Sequence, residues 1–167
     1  MSVSQAFLQE FDHEAKTTRR VLERVPADRF DWKPHPKSMS LGELAMHTAM
    51  NPGAICGWAS EDETTFKGDK TPVPTSTAEI VAAHDTSVAK YRAVVGELGD
   101  SGLRNGWEGS AGGRTIFEMP KAVLVRSLAL NHWYHHRGQL SVYLRMLDVP
   151  VPSIYGPSAD ENPFARA

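Results

Sequence analysis

Three of the seven histidines in this 167-residue chain, His132, His135 and His136, fall within five positions. His132 and His136 are four residues apart. On a helix, at roughly 100° per residue, they stand one turn apart and about 40° from each other around the axis. That spacing lets one helix give two imidazoles to one metal ion. His135 lies about 60° from His132 on the other side, which puts it at the edge of any such site. Histidines one turn apart also occur on half-buried or solvated faces, so the pair needs a ligand from another helix to become a site. His13 falls off the apolar stripe of its segment and His35 lies between Pro34 and Pro36, so both read as surface residues. His47 and His84 lie on inward-facing helical stripes, and spacing alone does not choose between them. Three neutral imidazoles suit a borderline-soft divalent ion and leave coordination positions open, as in catalytic rather than structural sites.

Other chemistries fit less well. A di-iron bundle site needs two Glu-x-x-His motifs and two further glutamates. The chain has one such spacing, Glu10 to His13, off the apolar stripe. The His-Glu-x-x-His protease motif, a phosphate-binding Gly-Lys-Ser/Thr loop and a serine nucleophile elbow are missing from the sequence. Cys56 lies nine residues past His47, near the opposite side of a straight helix, and reads as inert core packing. As the one cysteine it excludes an internal disulfide and fits a reducing, cytoplasmic compartment.

Helices must position these residues. The first is predicted from Ser2 or Ser4 to Arg24, with Phe7, Phe11, Glu14/Ala15, Thr18, Leu22 and Val25 as its stripe and Pro26 at its end. A proline-rich connection follows from Val25 to Met39, pinned by Phe30 and Trp32. Ser40 to Glu43 is a capping box opening the second helix, whose apolar face is Leu41, Leu44, Ala45, Thr48 and Ile55. Pro52 lacks an N–H and crowds the carbonyl of Thr48, which predicts a kink or break one turn beyond His47. Ser60 to Thr75 reads as a long surface connection that permits a crossover along a bundle. The third helix starts at Ser76 or Thr77, with Glu79 completing a second capping box. Ile80, His84, Val88, Tyr91, Val95 and Leu98 form its buried stripe, and Gly99 suits its end.

Between Asp100 and Met119 the glycine-rich sequence predicts a short hairpin, Asn105–Glu108 with Arg114–Glu118, turning at Ser110 to Gly113. Pro120 then takes the first position of a long fourth helix reaching Leu147, on the order of 40 Å. On it Leu128, His132, Gln139, Tyr143 and Met146 follow a helical period, while Arg126, Arg137 and Arg145 are placed toward water. The proline-punctuated tail, 149–167, is predicted to pack on the bundle through Ile154, Tyr155 and Gly156. The reading is all-α: one domain over 1–167, a four-helix bundle with a long crossover and a short hairpin before the last helix.

Composition narrows the partners. Hydrophobic residues make up 41% and charged residues 23%, with a net charge of −2, as in an ordinary soluble protein. Without a Lys/Arg run, nucleic acid is not the expected partner. The first ten residues carry no signal-peptide pattern, and no apolar run approaches the roughly 20 residues that span a bilayer. A small-molecule substrate is the expectation.

Three stretches carry a resemblance. They are Ser40-Leu41-Gly42-Glu43-Leu44-Ala45-Met46-His47; His132 to His136 followed by Arg137-Gly138-Gln139-Leu140; and the tail Pro152 to Asp160. With them most of the chain resembles the DinB/YfiT-like superfamily of metal-binding four-helix bundles. The resemblance implies a divalent metal, nickel or zinc, held by His47, His132 and His136, which selects His47 over His84. It further implies a homodimer, and activities of the hydrolase or thiol-dependent transferase kind, the latter with a low-molecular-weight thiol. In such an enzyme the metal activates a water or a thiol. Glu43, four residues before His47, is a candidate base or orienting group beside its capping role. Gln139, one turn beyond His136, is a candidate site-lining group and His135 a candidate hydrogen-bond donor. Arg137 is a candidate anchor for an acidic substrate or a surface ion pair. A non-catalytic metal-binding or small-ligand module is the alternative, and a structural interaction protein with histidines paired to protein groups is a third reading.

Overall fold

The computed structural model describes residues 1–68 and 70–165. Helix α1 (Val3–Leu22) opens on a reciprocal cap between Ser2 and Gln5. It buries the stripe read from the sequence, from Phe7 through Leu22, joined by Val21. It stops at Leu22 rather than Arg24. The proline-rich connection is pinned as expected: Phe30 is buried, Trp32 packs on the same cluster, and their carbonyls accept from Gly42 N and Leu41 N.

Helix α2 (Leu41–Ala59) starts at the predicted Ser40–Glu43 capping box and runs through Pro52 without a break. Helix α3 (Thr77–Leu103) is capped by Ser76, but the Glu79 carboxylate does not complete the box. It accepts instead from Thr75 N and Thr75 Oγ1, at 2.7 and 2.9 Å. Two donors on one residue outcompete the single N–H of Ser76. Gly99 breaks the helix with φ 54°, a conformation open to glycine, and one further turn reaches Leu103. The crossover lets α2 and α3 run parallel. Gly53 faces Ser87 and Gly57 faces Lys90; a Cβ at Gly53 would stand 2.8 Å from Ser87 Cα, so only glycine admits this approach.

The expectation of an all-α chain needs correction. Among the described residues the chain is mostly helical, with four helical rods plus a three-stranded mixed sheet ordered β1-β2-β3. Strand β1 (Glu63–Thr65) arises inside the connection read as irregular and pairs in parallel with β2 (Gly106–Ala111). A three-residue strand carries almost no alternation of its own, and its partner lies some forty residues away in the register Glu63↔Glu108. Strand β3 (Arg114–Pro120) pairs antiparallel with β2. The hairpin strands exceed their predicted lengths because Gly112 and Gly113, with φ 57° and 75°, make a two-residue turn of the kind that suits strand twist. Pro120 closes β3 in extended geometry, φ −61° and ψ 146°, rather than opening the helix, since it pairs with Gly106.

The fourth rod is also not a plain α-helix. After α4 (Lys121–Leu124) the chain winds as a π-helix over Val125–Asn131 before α5 (His132–Met146). The core forms two apolar clusters. One gathers Phe11, Tyr91, Trp107 and Trp133; the other gathers Leu22, Leu44, Ile80 and Leu140. Among the described residues no helix is long and apolar enough to cross a membrane.

Candidate metal centre

The wide turn of the π-helix sets the start of the site. His132 N–H donates to the carbonyl of Ser127, five residues back. Widened turns of this kind often accompany functional sites, because they rotate the following helix relative to an α-helical continuation. Trp133 consequently turns inward, fully buried, and His136 is 8% exposed. The buried stripe of α5 is Trp133, His136, Arg137, Leu140 and Leu144. Gln139 and Met146, placed on the inner stripe from the sequence, are exposed.

Across from this face α2 presents His47. One ring nitrogen each of His47, His132 and His136 lies within 4.8 Å of the other two. The ring centroids are 4.5 Å apart for His47 and His136, 4.3 Å for His132 and His136, and 5.6 Å for His47 and His132. The Nε2 atoms of His132 and His136 face each other at 2.5 Å. His136 Nδ1–H donates to Gln139 Oε1 at 2.8 Å, which leaves the His136 Nε2 lone pair for the centre. His47 Nδ1 lies 3.4 Å from Thr71 Oγ1, on the crossover.

The electrostatics favour the ligating form. Burial, then the neighbouring His132, lowers the pKa of His47. Burial, then His135, lowers that of His132. Burial holds His136 down to about 4, against the opposing hydrogen bond to Gln139 and with help from the other histidines. Neutral imidazole is the form that donates to a metal, so these rings need not shed a proton at neutral pH. The cluster contains three nitrogens and no carboxylate or thiolate, a donor set that fits a late divalent ion. With His47 and His132 only half-buried, the centre has an open side. The arrangement could therefore hold a metal ion.

The other candidates fall elsewhere. His84 is 1% exposed in the core, where its Nε2–H donates to the carbonyl of Ala15 at 3.0 Å. Glu43 serves the cap: its carboxylate accepts from Ser40 N at 2.7 Å and pairs with Lys33, and those contacts, the backbone bond foremost, hold its pKa down. His135 is exposed, its ring 5.1 Å from that of His136. Cys56 is fully buried, and burial pushes its thiol up to about 12. Arg137 corrects the expectation of a water-facing arginine. It is 1% exposed and bridges Glu14 at 2.6 Å, with Thr18 Oγ1 and the Tyr155 hydroxyl completing its contacts. Its guanidinium faces α1 and the tail, not the histidines, because the π-helix turns that side of α5 into the bundle. Thr71, for which the loop composition held no signal, is a neighbour of His47 that the sequence does not reveal.

The DinB family model matches residues 1–163. The chain belongs to the DinB family. It is 31% identical over 161 residues to the uncharacterised protein YrdA of Bacillus subtilis (strain 168), covering 93% of this chain and 89% of that relative. The fold is similar to a DinB-like protein from Bacillus cereus ATCC 10987, with TM-score 0.72 and 24% identity over 90% of this chain and 97% of the other. It is also similar to the DinB-like protein YjoA of Bacillus subtilis, with TM-score 0.68 and 22% identity over 89% and 96%. At these identities the two structures speak to the fold of this DinB-family chain.

Proposed function

We propose that this protein is a divalent-metal-dependent enzyme of the hydrolase or thiol S-transferase type, with nickel or zinc held by His47, His132 and His136. The observation that carries the reading is the convergence of three neutral imidazoles from two helices, one of them oriented through its other nitrogen by Gln139. A divalent ion held there supplies Lewis acidity, which lowers the pKa of a water or small thiol that reaches it. The chain's own residues do the rest. His136 is kept in one tautomer by Gln139, His47 Nδ1 is approached by the Thr71 hydroxyl, and the half-buried His47 and His132 leave a side open to a small molecule. Three protein nitrogens leave at least one coordination position for such a molecule. Glu43 is tied into the helix cap and takes no part in this scheme.

The test is metal content by elemental analysis of chelator-cleaned, tag-free protein after reconstitution, for wild type and for His47→Ala, His84→Ala, His132→Ala and His136→Ala. One metal per chain in wild type and His84→Ala, lost in the other three, is the expected result; thiol-transfer and hydrolysis screens then follow. Wild type without stoichiometric metal, or retention of the metal by His136→Ala, overturns the reading.

A further inference from the structure

Pro52 sits inside α2 and has no N–H, so the carbonyl of Thr48 lacks its helical donor. Thr48 is fully buried, where water cannot satisfy that carbonyl, and an orphaned acceptor is costly there. Its donor comes from the facing helix: the Trp133 indole N–H reaches Thr48 O at 2.9 Å. Thr48 follows His47, and Trp133 follows His132. One buried hydrogen bond thus joins the two ligand-bearing helices at the residues next to their ligands. Tryptophan has a single rigid donor, so the bond fixes both the rotation and the height of α5 against α2. Phe11 stacks on the indole, ring centroids 5.1 Å apart, and holds it in place from α1.

We infer that Trp133 is a positioning residue for the metal centre: its indole bond to the carbonyl freed by Pro52 sets His47 in register with His132 and His136. The inference rests on the reading of the three histidines as metal ligands. A tryptophan that only filled the core would contribute volume and stability. A positioning tryptophan contributes ligand geometry as well, and groups that orient ligands typically change metal affinity by about 10- to 100-fold when removed.

The experiment measures Co2+ affinity, the Co2+ ligand-field absorption and the melting temperature of wild type, Trp133→Phe, and the double variant Trp133→Phe with Pro52→Ala. Trp133→Phe keeps an aromatic ring and loses the donor. Adding Pro52→Ala returns an N–H to position 52, within α2, so the Thr48 carbonyl is satisfied without any link to α5. The expected result is a loss of about tenfold or more in Co2+ affinity with an altered absorption spectrum in Trp133→Phe. In the double variant the melting temperature recovers while affinity and spectrum do not. Affinity within twofold of wild type in Trp133→Phe overturns the inference alone, as does recovery of affinity together with stability in the double variant. Wild type that binds no Co2+ overturns the metal reading and the inference with it.

Discussion

His84 offers a measurement of how the core treats a titratable group. It is buried between α3 and α1, its Nε2–H bonded to Ala15 O, and its Nδ1 has no partner among the described residues. Protonation would place a charge and an unpaired N–H in the core. Burial accordingly brings its pKa from the ordinary 6.5 down to about 4, with Asp85 opposing and Arg19 adding to the fall. Between those two pH values the unfolded chain binds the proton and the folded one does not, so stability rises with pH across the interval. The contribution is complete above pH 6.5 and is lost progressively as the pH falls to about 4. At 1.36 kcal/mol per pH unit the full excursion is about 3 kcal/mol. The assay is urea unfolding at pH values from about 4 to 7.5, with chelator present, for wild type and His84→Gln. Contributions from groups other than His84 are common to both proteins and cancel in the difference. Glutamine can keep a donor toward Ala15 and does not titrate. Wild type should therefore lose stability relative to the variant by about 3 kcal/mol on going from pH 6.5 to 4. A pH-independent difference, or a His84 imidazole that titrates near 6.5 by NMR in the folded protein, would refute the reasoning.

Removing the Gln139 carbonyl by Gln139→Leu should weaken metal binding by about 10- to 100-fold with little change in melting temperature, since the side chain is exposed and acts through His136; titration with Co2+ checks this. Arg137→Met leaves the Glu14 carboxylate buried without its partner and should cost about 3–5 kcal/mol in urea unfolding. Combining it with Glu14→Leu should recover much of that loss, because no uncompensated charge then remains inside. Cys56 should resist a thiol reagent at pH 8 in the native protein and react at once in denaturant, since burial holds the thiol up to about 12.

Much of this protein is written in local pattern. The stripes from Phe7 to Leu22 and from Ile80 to Val95 became the buried faces of α1 and α3, and the capping box at Ser40–Glu43 became the start of α2. The four-residue spacing of His132 and His136 survives because both lie within regular α-helix. Such features depend on residues one or two turns apart, which any α-helix brings together. Bringing His47 to the pair was implied by the DinB resemblance, while the residues themselves left His84 equally eligible. The packing decides between them: His84 bonds inward to α1, and His47 faces α5.

What the pattern left open depended on distant partners. The last rod departs from the predicted phase at Arg137 and Gln139 because the π-helix over Val125–Asn131 rotates α5, and local preference favours the α form. Strand β1 exists only through its parallel pairing with β2. Pro52 announced an unsatisfied carbonyl at Thr48, for which a kink was the local remedy. The tertiary structure supplies the Trp133 indole as its donor, and α2 runs on without a break. The sequence by itself determined the helices, the caps at Ser40 and Ser76 and the pair of histidines one turn apart. The assembled bundle alone decided rotation, register and which polar atoms meet, because those follow from burial and hydrogen bonding between segments far apart along the chain.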